Sequence, residues 1–238
     1  MKKTILQSIY RIFDSWAKQF SLGCQKGCAA CCTRDVMATA VEGEVVMDYI
    51  FTNHMENWLV AKLDSDLPGV APSCTTNEFA QACFEGSERD PAIGSNNGVC
   101  PFLENGECSI YPARPFSCRS FASVERCKSG SSAVIPPHYL TAATTVSQLI
   151  EHLSQRHYWG NMLHIIYLIA QQGSATEDRN YPENKKRLVR AQTSCLTAKP
   201  LPGFLISQED YPHVEPLIRE IFAAEVGGRS IEDILNNR

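Results

Sequence analysis

Apolar residues recur at helical spacing through the first twenty positions, and this pattern predicts an amphipathic helix. Its apolar positions are Ile5, Leu6, Ile9, Ile12, Phe13, Trp16 and Phe20. The opposite face is not rich in Lys and Arg, so we expect the helix to pack on the protein core rather than on a membrane surface. Two lysines begin the segment, but polar residues interrupt the apolar run and no cleavage site follows. We therefore do not expect a secretory signal peptide.

Helical signals recur further along the chain. Thr39 and Glu42 have capping-box spacing, which predicts a helix that begins near residue 40, and Thr75 and Glu78 predict a shorter one. The pattern is helical again over 139–172, then over 211–226 and 230–237. Alternation typical of strands is rare, so we predict a mainly α fold.

Residues 90–137 differ from the rest of the chain. Gly, Pro, Ser and Asn are frequent there, and the hydrophobic periodicity is weak. An irregular segment of this length inside a compact domain needs something to hold it in place. We predict a long, irregular, metal-stapled loop core, with residues 1–137 as a cysteine-cluster region and 138–238 as a helical region packed on it.

Composition limits the classes of partner. The 238 residues carry a formal net charge of -4, which gives no general reason to bind nucleic acid. The longest apolar run, 162–170, is too short to span a bilayer. We therefore expect a cytoplasmic protein with no membrane partner. In a reducing compartment, its eleven cysteines favour metal binding over disulfides.

Seven cysteines are concentrated in two segments, "GCQKGCAACCTR" (23–34) and "NGVCPFLENGECSIYPARPFSCRSF" (97–121). We predict as metal ligands Cys24, Cys28, Cys31, Cys32, Cys100, Cys108 and Cys118. Cys28 and Cys31 can close a chelate ring on one ion. Cys31 and Cys32 are adjacent, so their Cβ atoms tend to diverge. We therefore expect them to bind two different metals, or one of them to bind a metal and the other to contribute to packing. Seven thiols suit two centres, or one four-thiolate centre beside a second, open site.

The other cysteines have weaker signals. Cys127 follows the second segment and could be an eighth ligand, but no recognised motif surrounds it. For Cys74 and Cys83 we expect buried packing roles, and for the isolated Cys195 packing or an incidental thiol.

Three arginines lie beside these cysteines in the sequence. For Arg34 we expect a surface position or an ion pair. Arg114 and Arg119, which flank Cys118, either offset the charge of nearby thiolates or pair with carboxylates elsewhere.

The second segment resembles a known family. Its elements are Cys100-Pro101-Phe102-Leu103, Cys108-x-Ile110-Tyr111, Arg114-Pro115 and Cys118-Arg119. Together with the earlier cysteines they resemble the YkgJ-type cysteine cluster proteins, over roughly residues 20–128. That family is named for a CxxCxxCC motif and described as zinc- or iron-chelating. Three residues separate Cys24 from Cys28, where the motif has two, so the resemblance supports Cys24 least.

The resemblance implies metal or iron–sulfur binding. The cysteine spacing matches neither the bacterial nor the plant ferredoxin pattern. Because the cysteines exceed what a structural zinc site needs, we favour an iron–sulfur cluster slightly over zinc. A similar cysteine segment in flagellin lysine-N-methylases suggests, by analogy, an alternative: a metal-dependent group-transfer or redox enzyme with a protein substrate. The sequence assigns no catalytic residues and leaves enzymatic activity open.

Overall fold

A computed structural model of the protein describes residues 1–63, 67, 71–87, 89, 98–127, 132–173 and 184–236. Within these ranges the fold is mainly α, as the hydrophobic pattern predicts. The helices are α1 (Lys2–Ala17), α2 (Ala40–Thr52), α3 (Glu56–Leu63), α4 (Thr76–Phe84), α5 (Phe116–Arg119), α6 (Tyr139–Leu153), α7 (Met162–Gly173), α8 (Lys185–Thr193), α9 (Tyr211–Ala223) and α10 (Ile231–Leu235). The strands are β1 (Met37–Thr39), β2 (Leu103–Glu104), β3 (Glu107–Cys108), β4 (Tyr158–Asn161), β5 (Leu196–Thr197), β6 (Glu225–Val226) and β7 (Arg229–Ser230).

Helix α1 has the amphipathic character that its sequence predicts. Ile5, Ile9 and Phe13 are completely buried, and the helix packs against α2, α6 and α9. It ends at Ala17, slightly before the apolar pattern does, and turns follow. The aromatic ring of Phe20 still packs on Tyr139 at the start of α6, so this turn belongs to the same apolar core.

Both predicted capping boxes are present. The Thr39 hydroxyl accepts from the N–H of Glu42, and the Glu42 carboxylate accepts from the N–H of Thr39 at 2.7 Å. Thr75 and Glu78 make the same reciprocal pair at the start of α4. These bonds satisfy N–H groups that the first helical turn leaves without partners.

The predicted helical stretch over 139–172 is wrong in its middle. Helix α6 ends at Leu153, Arg156 takes a left-handed conformation with φ 69°, and β4 follows before α7 begins. Strand β4 is the centre of an antiparallel sheet with the order β1-β4-β5, in which Ala38 pairs with Gly160. Gly160 lies so close to Cys195 that a Cβ would be 3.1 Å from its sulfur. This tertiary pairing overrides the local helical pattern.

One hydrophobic cluster contains buried residues from both predicted parts of the chain, since α2 packs on α7 and α1 on α9. The division into 1–137 and 138–238 stays a prediction. None of the helices in the described ranges combines the length and hydropathy needed to cross a membrane.

Candidate metal centre

Main-chain hydrogen bonds join the two cysteine segments. The N–H of Arg34 donates to the carbonyl of Gly98 at 2.9 Å, and the N–H of Cys100 donates to the carbonyl of Cys32 at 3.0 Å. The residues between these positions form an isolated antiparallel bridge. Cys32 and Cys100 are therefore held side by side by the backbone.

The β2–β3 hairpin carries Cys108 and is fastened to α3 by one carboxylate. Glu104 accepts from the indole N–H of Trp58 at 3.1 Å and from the hydroxyl of Ser109 at 2.6 Å, and it pairs with Lys62 at 2.7 Å. These donors lower the pKa of Glu104 to about 2, with Lys62 making the largest contribution. Glu104 thus joins the hairpin that carries Cys108 to α3.

Helix α5 carries Cys118 and is anchored to the core by Glu42. The N–H of Phe116 donates to Glu42 Oε1 at 2.7 Å, and the hydroxyl of Tyr10 donates to the same oxygen at 2.9 Å. The second carboxylate oxygen accepts from the N–H and the hydroxyl of Thr39. Burial raises the pKa of Glu42, which is 3% exposed, while the donated hydrogen bonds act in the opposite direction. Glu42 is therefore both a helix cap and the support of Cys118.

All seven cysteines predicted as ligands lie in the lining of one cavity of about 640 Å³. They are Cys24, Cys28, Cys31, Cys32, Cys100, Cys108 and Cys118. Aromatic and aliphatic side chains, including Phe13, Leu22 and Tyr139, form much of the remaining wall. The fold thus brings together two cysteine segments that are about seventy residues apart.

The thiols in this cavity act on one another, and the charge of Cys31 raises the pKa of both Cys24 and Cys118. Charges on Cys100, Cys108 and Cys118 raise the pKa of Cys32. A hydrogen bond from the Cys31 thiol has the larger effect and lowers the pKa of Cys32 overall. Cys32 therefore lies with the three cysteines of the second segment.

Cys24 is affected by burial and by the charges of three other thiols. Burial raises the pKa of Cys24, and charges on Cys28, Cys127 and Cys31 raise it further. The N–H of Ser123 acts against them, because it favours the thiolate. Cys127 thus lies near Cys24, although it is not part of the cavity lining.

Burial also raises the pKa of the thiols of Cys100, Cys108 and Cys118. The N–H groups of Phe102 and Ile110 donate toward Cys100 and Cys108 and favour the thiolate forms. The sulfur atoms therefore lie among main-chain donors of the kind that stabilise metal-bound thiolates.

The two arginines that flank Cys118 have different surroundings. The guanidinium of Arg114 lies 3.8 Å from the centre of the Tyr111 ring and donates to the Tyr111 carbonyl at 2.9 Å. Its charge opposes the rise in the pKa of Cys108 that burial causes. Arg119 instead pairs with Asp14 at 2.6 Å. Arg114 is the arginine placed to offset thiolate charge, whereas Arg119 joins α5 to α1.

The side chain of Arg34 is half-buried. Burial raises the pKa of the Cys100 thiol, and the charge of Arg34 opposes this rise. The N–H of Arg34 donates to the carbonyl of Gly98, so the backbone pairing fixes its position beside the second cysteine segment.

The remaining cysteines lie outside the cavity lining. Cys74 is buried, as predicted, whereas Cys83 is exposed and its predicted burial is wrong. Cys195 packs against Gly160. All eleven cysteines are described, and all are free thiols.

The chemistry of the donor set fits a soft metal. Thiolate sulfur is a ligand for zinc and for iron–sulfur clusters alike. In the ranges that the structure describes, no group of three or more His, Cys, Asp or Glu side chains is already arranged to hold a metal ion.

These features define a class: a thiol-rich, metal-chelating domain set in a mainly α fold. Comparison with protein families agrees with this class, because residues 23–139 match the CxxCxxCC family, described as "Putative zinc- or iron-chelating domain". Residues 23–139, about half of the length of the chain, therefore form a domain of the CxxCxxCC family. No curated protein and no solved structure gives a significant match to the chain.

Proposed function

We propose that the protein binds a metal centre through the thiolates of Cys32, Cys100, Cys108 and Cys118. The observation that carries this proposal is the convergence of these four cysteines on one cavity, with Cys32 and Cys100 joined by the backbone. Four thiolates complete a tetrahedral zinc site or hold an iron–sulfur cluster. Cys24, Cys28 and Cys31 line the same cavity and are the remaining ligand candidates.

Metal binding in this proposal draws the thiols inward and staples the irregular loops. Cys108 and Cys118 lie on short, separately anchored elements, the β2–β3 hairpin and α5. Binding free energy would then contribute to folding. We propose a reducing, cytoplasmic setting, since it keeps thiols available for metal.

We favour an iron–sulfur cluster over zinc. The thiols outnumber the ligands of one zinc site, the cavity of about 640 Å³ has room for more than a single ion, and Arg114 offers positive charge beside Cys108. Cluster potentials depend on this kind of charge and hydrogen bonding around the sulfur atoms.

Anaerobic purification followed by elemental analysis and a visible absorption spectrum tests the proposal. Bound iron with broad absorbance in the violet indicates a cluster, while stoichiometric zinc in a colourless protein indicates a zinc site. Cys118→Ser should lower the metal content and the solubility, whereas Cys83→Ser, an exposed thiol outside the cavity, is the matched control. Full metal retention in Cys118→Ser would refute the assigned ligand set.

The volume of the cavity favours a second candidate function. About 640 Å³ lies within the range of small-molecule sites, and much of the wall is apolar. A metal-dependent enzyme, such as a protein-lysine N-methylase-like group-transfer or redox enzyme, would use this space for a cosubstrate. Calorimetric titration of the metal-loaded protein with S-adenosylmethionine tests the methylase form, and an absence of binding would exclude it.

A further inference from the structure

The segment that follows β5 is held by side chains of two helices. Residues 199–205, which we call the strap, run without regular secondary structure toward α9. Pro200 and Pro202 have no N–H, so they cannot contribute donors to a sheet. The side chain of Asn77 on α4 donates to the carbonyl of Lys199 at 3.1 Å. The main chain of the strap thus relies on neighbouring helices for its hydrogen bonds.

Helix α6 fixes both ends of the strap. The N–H of Lys199 donates to Glu151 Oε1 at 2.8 Å. At the other end, the side-chain amide of Gln148 accepts from the N–H of Leu205 and donates to the carbonyl of Gly203, both at 2.9 Å. Gln148 and Glu151 are completely buried, so these bonds satisfy polar groups that water does not reach.

His152 on α6 makes the contact at the middle of the strap. The N–H of Leu201 donates to His152 Nδ1 at 3.0 Å. An imidazole nitrogen that accepts a hydrogen bond carries no proton, so the ring is neutral and its hydrogen is on Nε2. A protonated ring carries a hydrogen on both nitrogens and can only donate. Protonation therefore places two N–H groups against each other and removes the partner of Leu201.

The surroundings of His152 favour its neutral form. Charged or titratable side chains on the elements around it are Lys2, Glu151, Arg156, His157, Lys199 with its partner Glu78, Glu232 and Asp233. Burial makes the largest contribution and lowers the pKa of His152, and the charge of Lys2 acts in the same direction. A hydrogen bond with the backbone of Leu235 in α10 opposes them. The net effect matches the bond from Leu201, which requires a neutral ring.

The attachments on either side of the strap do not respond to acid in this way. Before it, Ala198 exchanges main-chain hydrogen bonds with Arg156 and His157. After it, His138 Nδ1 bonds to Asp210 Oδ1, and an imidazolium still donates to a carboxylate. A fall in pH therefore acts on the middle of the strap and leaves its attachments in place.

We propose that His152 is a proton-sensitive latch and that protonation of its ring releases the strap from α6. The fold holds His152 below its ordinary pKa of 6.5, so the released form takes up the proton first as the pH falls. The contribution of the latch is fully present above about pH 6.5 and is lost as the pH falls through the lower pKa of the closed state. Neither His152 nor the strap belongs to the lining of the cysteine cavity, so the latch does not depend on the metal centre.

Hydrogen exchange of the full-length protein at pH 7.5 and pH 5.5 tests the latch, with rates corrected for intrinsic exchange at each pH. The amides of Leu201 and Leu205 report on the strap, and those of Leu149 and Ile150 within α6 are references. Protection of the two strap amides should fall by about three- to tenfold at the lower pH. One pH unit below its ordinary pKa, the released ring is about ten times more often protonated than neutral. Equal protection at both pH values would overturn the proposal.

An asparagine variant separates the proton from the packing. In His152→Asn, the side-chain oxygen can accept near the position of Nδ1 and does not titrate, so the strap amides should stay protected at pH 5.5. His157→Asn, which removes an exposed histidine just after α6, is the matched control and should show the native fall. A native fall in His152→Asn would assign the response to another group, such as Glu151, and overturn the latch.

The reference amides distinguish local release from general unfolding. A fall at pH 5.5 that included Leu149 and Ile150 would indicate acid unfolding of α6 and would overturn the proposal. A His152→Asn chain with an unprotected strap at both pH values and a protected α6 would support it, because loss of the acceptor alone would then release the strap.

Discussion

The main-chain N–H of Cys100 donates a 3.0 Å hydrogen bond to the carbonyl oxygen of Cys32, so cysteines from two distant segments are joined by the backbone itself. A metal centre that used both thiols would therefore not have to bring the two segments together. It would close a site whose first two ligands are already neighbours, which reduces the ordering cost of binding.

This pairing predicts hydrogen-exchange protection in the metal-free protein. The amides of Arg34 and Cys100 should exchange at least about tenfold more slowly than in an unfolded chain, equivalent to about 1.4 kcal/mol of local opening free energy. Val99 lies between the paired positions and is exposed, so its amide provides an internal reference. If both protected amides exchanged at unfolded rates without metal, the metal rather than the backbone would hold the segments together.

Glu42→Gln should destabilise the fold and weaken metal binding. The amide group of glutamine places a donor where the carboxylate accepts from Phe116, Tyr10 and Thr39, which leaves buried polar groups unsatisfied. We expect a loss of about 1–3 kcal/mol in the free energy of unfolding, measured in urea. Release of α5 should also lower the affinity at Cys118.

Glu78→Gln is the matched control for that substitution. Glu78 has the same capping-box position on α4 and a weak, partly exposed contact with Lys199. Glutamine is tolerated in a capping box, so the change should cost less than about 0.5 kcal/mol. Equal losses in the two variants would mean that the bonds from Glu42 to α5 and Tyr10 contribute little.

Arg114→Gln should weaken metal binding without a comparable loss of stability. Arg114 lies on the Tyr111 ring and acts on the thiol of Cys108, whereas Arg119 is held by Asp14. Removing a neighbour that supports metal ligands typically costs about 10- to 100-fold in affinity. Chelator competition should give this loss for Arg114→Gln, while Arg119→Gln should mainly lower the urea midpoint. A larger affinity loss in Arg119→Gln would reverse the roles assigned to the two arginines.

Local physics explains what could be predicted from the sequence. The period of apolar residues in α1 and the capping boxes of Thr39 and Thr75 depend on residues three or four positions apart, and the structure confirms them. The candidate cysteines were found by their density and their motif, which are also properties of short segments. The density does not predict that these cysteines share one cavity. They share it because main-chain hydrogen bonds join the two segments.

Long-range contacts explain what could not be predicted. Strand β4 interrupts a helical pattern because it pairs with β1, more than a hundred residues away. Glu42 had only a capping signal, and its bond to Phe116 spans 74 residues. No sequence pattern indicated a structural role for Glu104, since its donors are Trp58 on α3 and Ser109 just after the hairpin. Cys127 lacks a motif, and its segment lies beside that of Cys24 through the hydrogen bond from the N–H of Gly23 to the carbonyl of Ser123.

Glu104 should make the stability of the β2–β3 hairpin sensitive to acid. Its pKa is about 2 in the fold, because Lys62, Ser109 and Trp58 act on the carboxylate, whereas an unperturbed glutamate titrates near 4.3. The unfolded chain therefore takes up the proton first as the pH falls. The contribution of Glu104 is fully present above about pH 4.3 and is lost as the pH approaches about 2.

Comparing native protein with Glu104→Gln across this range checks the prediction. The native chain should be the more stable at pH 6, and the difference in unfolding free energy should shrink steadily toward pH 2. Glu107→Gln, on the same hairpin with an exposed side chain, should change stability little at either end of the range. A difference between native and Glu104→Gln that stayed constant down to pH 2 would mean that the ionised carboxylate does not hold the hairpin on α3. The hairpin backbone alone would then determine the position of Cys108.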